Sequence, residues 1–71
     1  MAVGDLQKVV GVYLRRHRQE RSLSQEAFAE FLGVHRTYMG GIERGERNLT
    51  LQNVERLADK LGVGVMEMLR G

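Results

Sequence analysis

The chain contains no cysteine. That excludes a disulfide framework, a zinc finger and thiol chemistry, and it removes any need for an oxidising compartment. Proline is absent as well, and no linker, internal repeat or low-complexity tract divides the sequence. No apolar run approaches the ~20 residues of a membrane span. The N-terminus lacks the charged-then-apolar layout of a signal peptide, so a cytoplasmic setting is expected. The two histidines, His17 and His35, lack the carboxylate spacing of a metal site or a catalytic triad. Without strands there is no phosphate-binding glycine loop. Ser22 and Ser24 flank a helix start and read as loop or cap residues. These absences argue against an enzyme and against a metal or cofactor.

What is present is helical. Residues 1–71 read as a single domain of five short helices around one core, an all-α fold. A chain this short buries only about 60% of its unfolded surface, so a partner that adds burial would help it. The first helix is expected from Leu6 to about Glu20 with Asp5 as N-cap. Its apolar stripe is Leu6, Val9, Val10, Tyr13, Leu14 and His17. Gly11 either weakens this helix slightly or lets a neighbour approach. Gln25 to Leu32 forms the second helix, capped by Ser24 and closed by Gly33. Arg36 to Arg44 forms the third and stops at Gly45. Thr50 caps the fourth, Leu51 to Leu61, ended by Gly62; its stripe is Leu51, Val54, Leu57, Ala58 and Leu61. Val63, Val65, Met68 and Leu69 belong to a short fifth helix.

The net charge is only +2, yet nine of the eleven cations are arginine, which suits bidentate contact with phosphates and guanine edges. Arg56, Lys60 and Arg70 read as a solvated helix surface. On a helical wheel His35, Tyr38, Met39 and Ile42 gather on one side of the third helix. Arg36, Thr37, Gly40, Gly41 and Arg44 gather on the other. Two adjacent glycines cost a helix ~1 kcal/mol each relative to alanine. They are either tolerated on a solvated face, or they let another surface come very close, as the floor of a DNA major groove would.

The stretch QEAFAEFLGVHRTYMGGIER, Gln25 to Arg44, resembles the helix-turn-helix of the phage-repressor (Cro/cI-like, or Xre) family. Phe28, Leu32, Val34, Met39 and Ile42 stand where that motif wants apolar residues, Ala29 where it wants a small one, and Gly33 at its turn. LSQEAFAEFLG, IERGERN and LADKLGV also look like family signatures. The run HRTYMGGIERGERN is similar to controller proteins of restriction–modification systems. The resemblance implies a phage-repressor-like DNA-binding domain: a sequence-specific regulator of transcription whose third helix, about 35–44, lies in the major groove of double-stranded DNA. One such unit reads few base pairs, so a homodimer on an inverted repeat is expected. Two other readings stand beside it. One is a DNA-binding module of a larger repressor or antitoxin. The other is a helical protein–protein module without DNA affinity, against which the outward arginines argue, because the core of a protein interface is depleted of charge.

Base reading falls to Arg36, whose fork matches guanine O6 and N7, and to Thr37, with Gly40 and Gly41 contributing by absence. Expected phosphate contacts are Gln25, at a helix start where free amides favour anions, and His35, Tyr38, Arg44, Arg47 and Asn48. Tyr38 could equally be a packing residue. The resemblance implies that Arg18 pairs with Glu43 as a clamp that orients the recognition helix. A dimer contact is expected at Val65, Met66 and Leu69, since four apolar residues in five, Val65, Met66, Met68 and Leu69, cannot all face inward.

Overall fold

A computed structural model describes residues 5–70. Five α-helices follow one another: α1 (Asp5–Glu20), α2 (Gln25–Leu32), α3 (Arg36–Glu43), α4 (Leu51–Leu61) and α5 (Val65–Arg70). Among the described residues there is no strand, and no helix is long and apolar enough to cross a membrane.

Local chemistry sets most boundaries. Ser24 Oγ accepts from the Ala27 amide at 3.0 Å and Thr50 Oγ1 from the Asn53 amide at 3.1 Å, so each hydroxyl satisfies a donor that the helix start leaves free. Four helix ends close in the same way, with a left-handed residue and a following amide that turns back to an earlier carbonyl. Glycine fills that position after α2, α3 and α4 (Gly33, Gly45, Gly62). After α1 it is Ser22, at φ 54°, with Leu23 N donating to the Arg18 carbonyl at 3.1 Å.

Three expected boundaries move. Asp5 lies inside α1, so the cap position before it falls outside the described residues. Arg44 is the C-cap of α3, not its last helical residue. Val63 precedes α5, because its amide closes α4 on the Ala58 carbonyl while its side chain packs on the core.

Phe28, Leu14, Leu32, Met39, Ile42, Met68 and Val10 are the largest fully buried side chains. α1 packs across α3 and α5, while α2 packs on α3 and α4. The α1–α3 crossing depends on Gly11. A Cβ there would stand 2.4 Å from the Ile42 carbonyl oxygen and 2.8 Å from that of Glu43, so only glycine lets the end of α3 rest on the α1 backbone. Tyr13 donates to Glu67 Oε2 at 2.7 Å and ties α1 to α5. Burial, with that carboxylate as neighbour, pushes its phenol up to about 12. Four residues assigned to the buried stripes are not in the core: Val9 and His17 are half-buried, and two are exposed, Leu6 at 46% and Leu51 at 66%. Leu6 and Leu51 each sit in the first turn of their helix, at the rim of a shallow apolar groove between α1, α4 and α5, where no further element among the described residues covers them.

Candidate nucleic-acid interface

α2 and α3 meet through a three-residue corner, Gly33 to His35. Gly33 closes α2, and Val34 N donates to the Ala29 carbonyl at 2.9 Å, tucking Val34 against the core. His35 then starts α3. Its Nδ1 accepts from the Thr37 amide at 3.1 Å, so the imidazole caps the helix and its proton sits on Nε2.

The outer surface of this pair carries most of the nominated residues. Arg36 and Thr37 are exposed at the start of α3. With Ser24, Gln25, Glu26 and Arg44 they line one open concave cleft. Arg36 Nη1 is 3.3 Å from Glu26 Oε2, with both side chains largely in solvent, and Arg44 Nε donates to Glu46 Oε1 at 2.9 Å. Exposed pairs of this kind contribute little stability, so both arginines can exchange a carboxylate for another acceptor at small cost. At the far end the Arg47 guanidinium lies over the Tyr38 ring, 5.5 Å from its centroid. Gln7 Nε2 donates to Asn48 Oδ1 at 2.7 Å, which fixes the loop after α3 to the start of α1.

A family model described as a helix-turn-helix domain matches residues 9–70. The chain belongs to the helix-turn-helix family. It is 42% identical over 65 residues to the control protein C.SmaI of Serratia marcescens, covering 92% of this chain and 77% of that one. The restriction–modification controller protein C.AhdI from Aeromonas hydrophila superposes with a TM-score of 0.74 at 40% identity, over 87% of this chain and 94% of the other. The controller C.Esp1396I, solved as a tetramer in complex with its natural 35 base-pair operator, gives a TM-score of 0.76 at 35% identity, over 93% and 91% of the two chains.

In this helix-turn-helix the second helix is held from behind by Glu43, which is 5% exposed. Arg18 grips it with two bonds, Nε to Oε2 at 2.8 Å and Nη2 to Oε1 at 3.0 Å, and Nη1 donates to the Leu23 carbonyl at 3.1 Å. Two further donors were not assigned to this pair from sequence: Gln25 Nε2 at 3.2 Å and Arg15 Nε at 3.5 Å, both to Oε1. Burial alone would raise the Glu43 carboxyl; the bonds from Arg18, Gln25 and Arg15 and the Arg18 charge hold it below the usual carboxylate range. Arg15 stands one helical turn before Arg18, so the α1 spacing carried a signal for it. The Gln25 bond carried none, because it depends on how α2 crosses α3.

Several assignments need revision. Gly40 and Gly41 are not bare positions on the outer face; both are buried. A Cβ on Gly41 would fall 2.8 Å from Arg47 Cγ, and one on Gly40 would fall 3.1 Å from Arg44 Nη1 and 3.4 Å from Gln25 Oε1. The chain's own long side chains fill the space that the wheel left open. Tyr38 packs its ring at the edge of the core, and its hydroxyl accepts from Asn53 Nδ2 at 3.3 Å beneath Arg47. In α5 the apolar residues divide. Met68 is fully buried, Val65 and Leu69 pack partly against the core, and Met66 is 69% exposed.

Proposed function

We propose that this chain is a sequence-specific regulator of transcription that binds double-stranded DNA in the cytoplasm as a homodimer on an inverted-repeat operator. The observation that carries the reading is the cleft at the start of the recognition helix, where Arg36, Thr37 and Arg44 stand together in solvent on a helix anchored through buried Glu43. Two arginines and a hydroxyl there stand on the side of α3 turned away from the core. Its function is recognition, not catalysis, and it calls for no cofactor. Its relatives, among them control proteins and a controller solved on its operator, support the same reading.

Arg36 reads a guanine by its O6 and N7, and Thr37 offers a hydroxyl or a methyl to the neighbouring base. Arg47, seated on Tyr38, and Asn48 hold phosphates, which position the protein without specifying sequence. His35 and Gln25 face the backbone at the two helix starts. Val65, Met66 and Leu69 form the dimer contact, with the same surface meeting itself about a twofold axis.

Selection from a random duplex library tests the whole reading. The expected product is an inverted repeat with half-site centres ~10 base pairs apart, the spacing of one DNA turn. Arg36→Ala should lose a preference at one base pair in each half-site. Recovery of no enriched sequence, or an Arg36→Ala protein with the parent's preference, refutes the corresponding assignment.

A further inference from the structure

Arg44 stands at the C-terminal end of the recognition helix, the place of a backbone contact. Its side chain does not stay there. Arg44 keeps right-handed backbone geometry at φ −84°, ψ −3°, so its Cβ continues the helical row and the side chain leans towards the N-terminus, over the residue four positions earlier. That residue is Gly40. With no Cβ at Gly40, the guanidinium lies over that residue on α3. Nη1 comes to 3.1 Å from where that Cβ would be, and Gln25 Oε1 lies 3.4 Å from the same point. Nε is held by Glu46 Oε1 at 2.9 Å. The guanidinium thus enters the cleft that contains Arg36 and Thr37. Arg47 also lies over α3, at Gly41, but its guanidinium stacks on the Tyr38 ring and does not line that cleft, and Asn48 is held by Gln7.

We propose that Arg44 is a specificity-determining residue that reads a base edge in the major groove, with Gly40 as its seat and Glu46 as its anchor. With Nε on Glu46, the donors left for a base are on the two terminal nitrogens, and a fork of two donors matches the paired acceptors O6 and N7 of guanine. The inference rests on the reading that α3 enters the major groove. It adds a second arginine to the base-reading set and gives Gly40 a reason: the glycine accommodates the chain's own reader.

The experiment is library selection followed by titration on the selected duplex and on single-base variants. It uses the parent, Arg44→Ala, Arg44→Lys, Gly40→Ala and the Gly40→Ala/Arg44→Ala double change, with thermal melts to establish folding. Arg44→Ala should lose about tenfold or more on the preferred site and relax one base pair per half-site distinct from the one that Arg36 reads. Arg44→Lys should keep affinity for random duplex but not that preference, because an ammonium keeps the charge without the fork. Gly40→Ala should melt no lower than the parent, since its methyl meets only the movable ends of two side chains, Arg44 and Gln25, and yet should blur the same base pair. In the Arg44→Ala background, Gly40→Ala should add nothing to the loss.

A uniform fall on all duplexes in Arg44→Ala, with full recovery in Arg44→Lys, would make Arg44 a phosphate contact and overturn the proposal. An undiminished Gly40→Ala effect without Arg44 would mean that the methyl strikes DNA directly, and would overturn the seat. A parent that enriches no sequence overturns the major-groove reading itself, a result that no Arg44 outcome mimics.

Discussion

Arg18→Met removes the main support of a buried carboxylate, and its cost follows from the geometry. Arg18 makes two bonds to Glu43, whose side chain is fully buried, and is itself only 16% exposed at the side chain. Losing one partner of such a pair costs about 3–5 kcal/mol. Arg15 and Gln25 remain, and half-exposed Arg15 can move closer than its 3.5 Å, so about 3 kcal/mol is expected. In a domain this small each kcal/mol is worth about 4–8 °C, so the melting temperature at pH 7 should fall by ~12–24 °C. The loss should depend on pH. In the parent, Glu43 lies below the ordinary value of 4.5. Its contribution is therefore complete above that pH and is lost only as pH falls through the depressed folded value. Without Arg18, burial dominates and raises the carboxyl, so the penalty is largest at neutral pH and shrinks as the group takes up a proton. The gap between parent and mutant should narrow from pH 7 towards pH 4. Adding Glu43→Leu to Arg18→Met should recover part of the loss at pH 7, because the stranded charge is gone. Circular-dichroism melts of the four proteins at both pH values form the cycle. Additive losses, or a gap that does not change with pH, would refute the clamp.

Arg47→Ala should weaken binding to every duplex alike and lower the salt slope by about one unit, read by titration at several salt concentrations; a loss confined to one sequence would assign it to base reading. Ser22→Gly should stabilise by about 0.5–1 kcal/mol, because φ 54° suits glycine better than a residue with a Cβ, and chemical denaturation would show the midpoint rising with the slope unchanged. Met66→Glu should leave the fold intact, since this side chain is 69% exposed, while converting a micromolar dimer to monomer in sedimentation; a mutant that dimerises like the parent would place the interface elsewhere.

The helix layout was legible in the sequence because its causes are local. A hydroxyl at Ser24 or Thr50 bonds an amide three residues on, and glycine at 33 or 62 takes a left-handed backbone whatever lies around it. Tertiary structure decided what a wheel cannot, namely which neighbour stands at a given angle. The wheel placed Gly40 and Gly41 outward and left them bare; the structure covers them with Arg44 and Arg47, side chains long enough to return over positions four and six residues earlier, and with Gln25 from α2. Leu6 and Leu51 carried the helical period of buried residues yet stay exposed, because no other element among the described residues reaches the groove they border. The pairing of Arg18 with Glu43 followed from family resemblance, but the arrival of Arg15 and Gln25 on the same oxygen did not. It depends on α1 and α2 both meeting the end of α3, and α1 comes that close because residue 11 has no side chain.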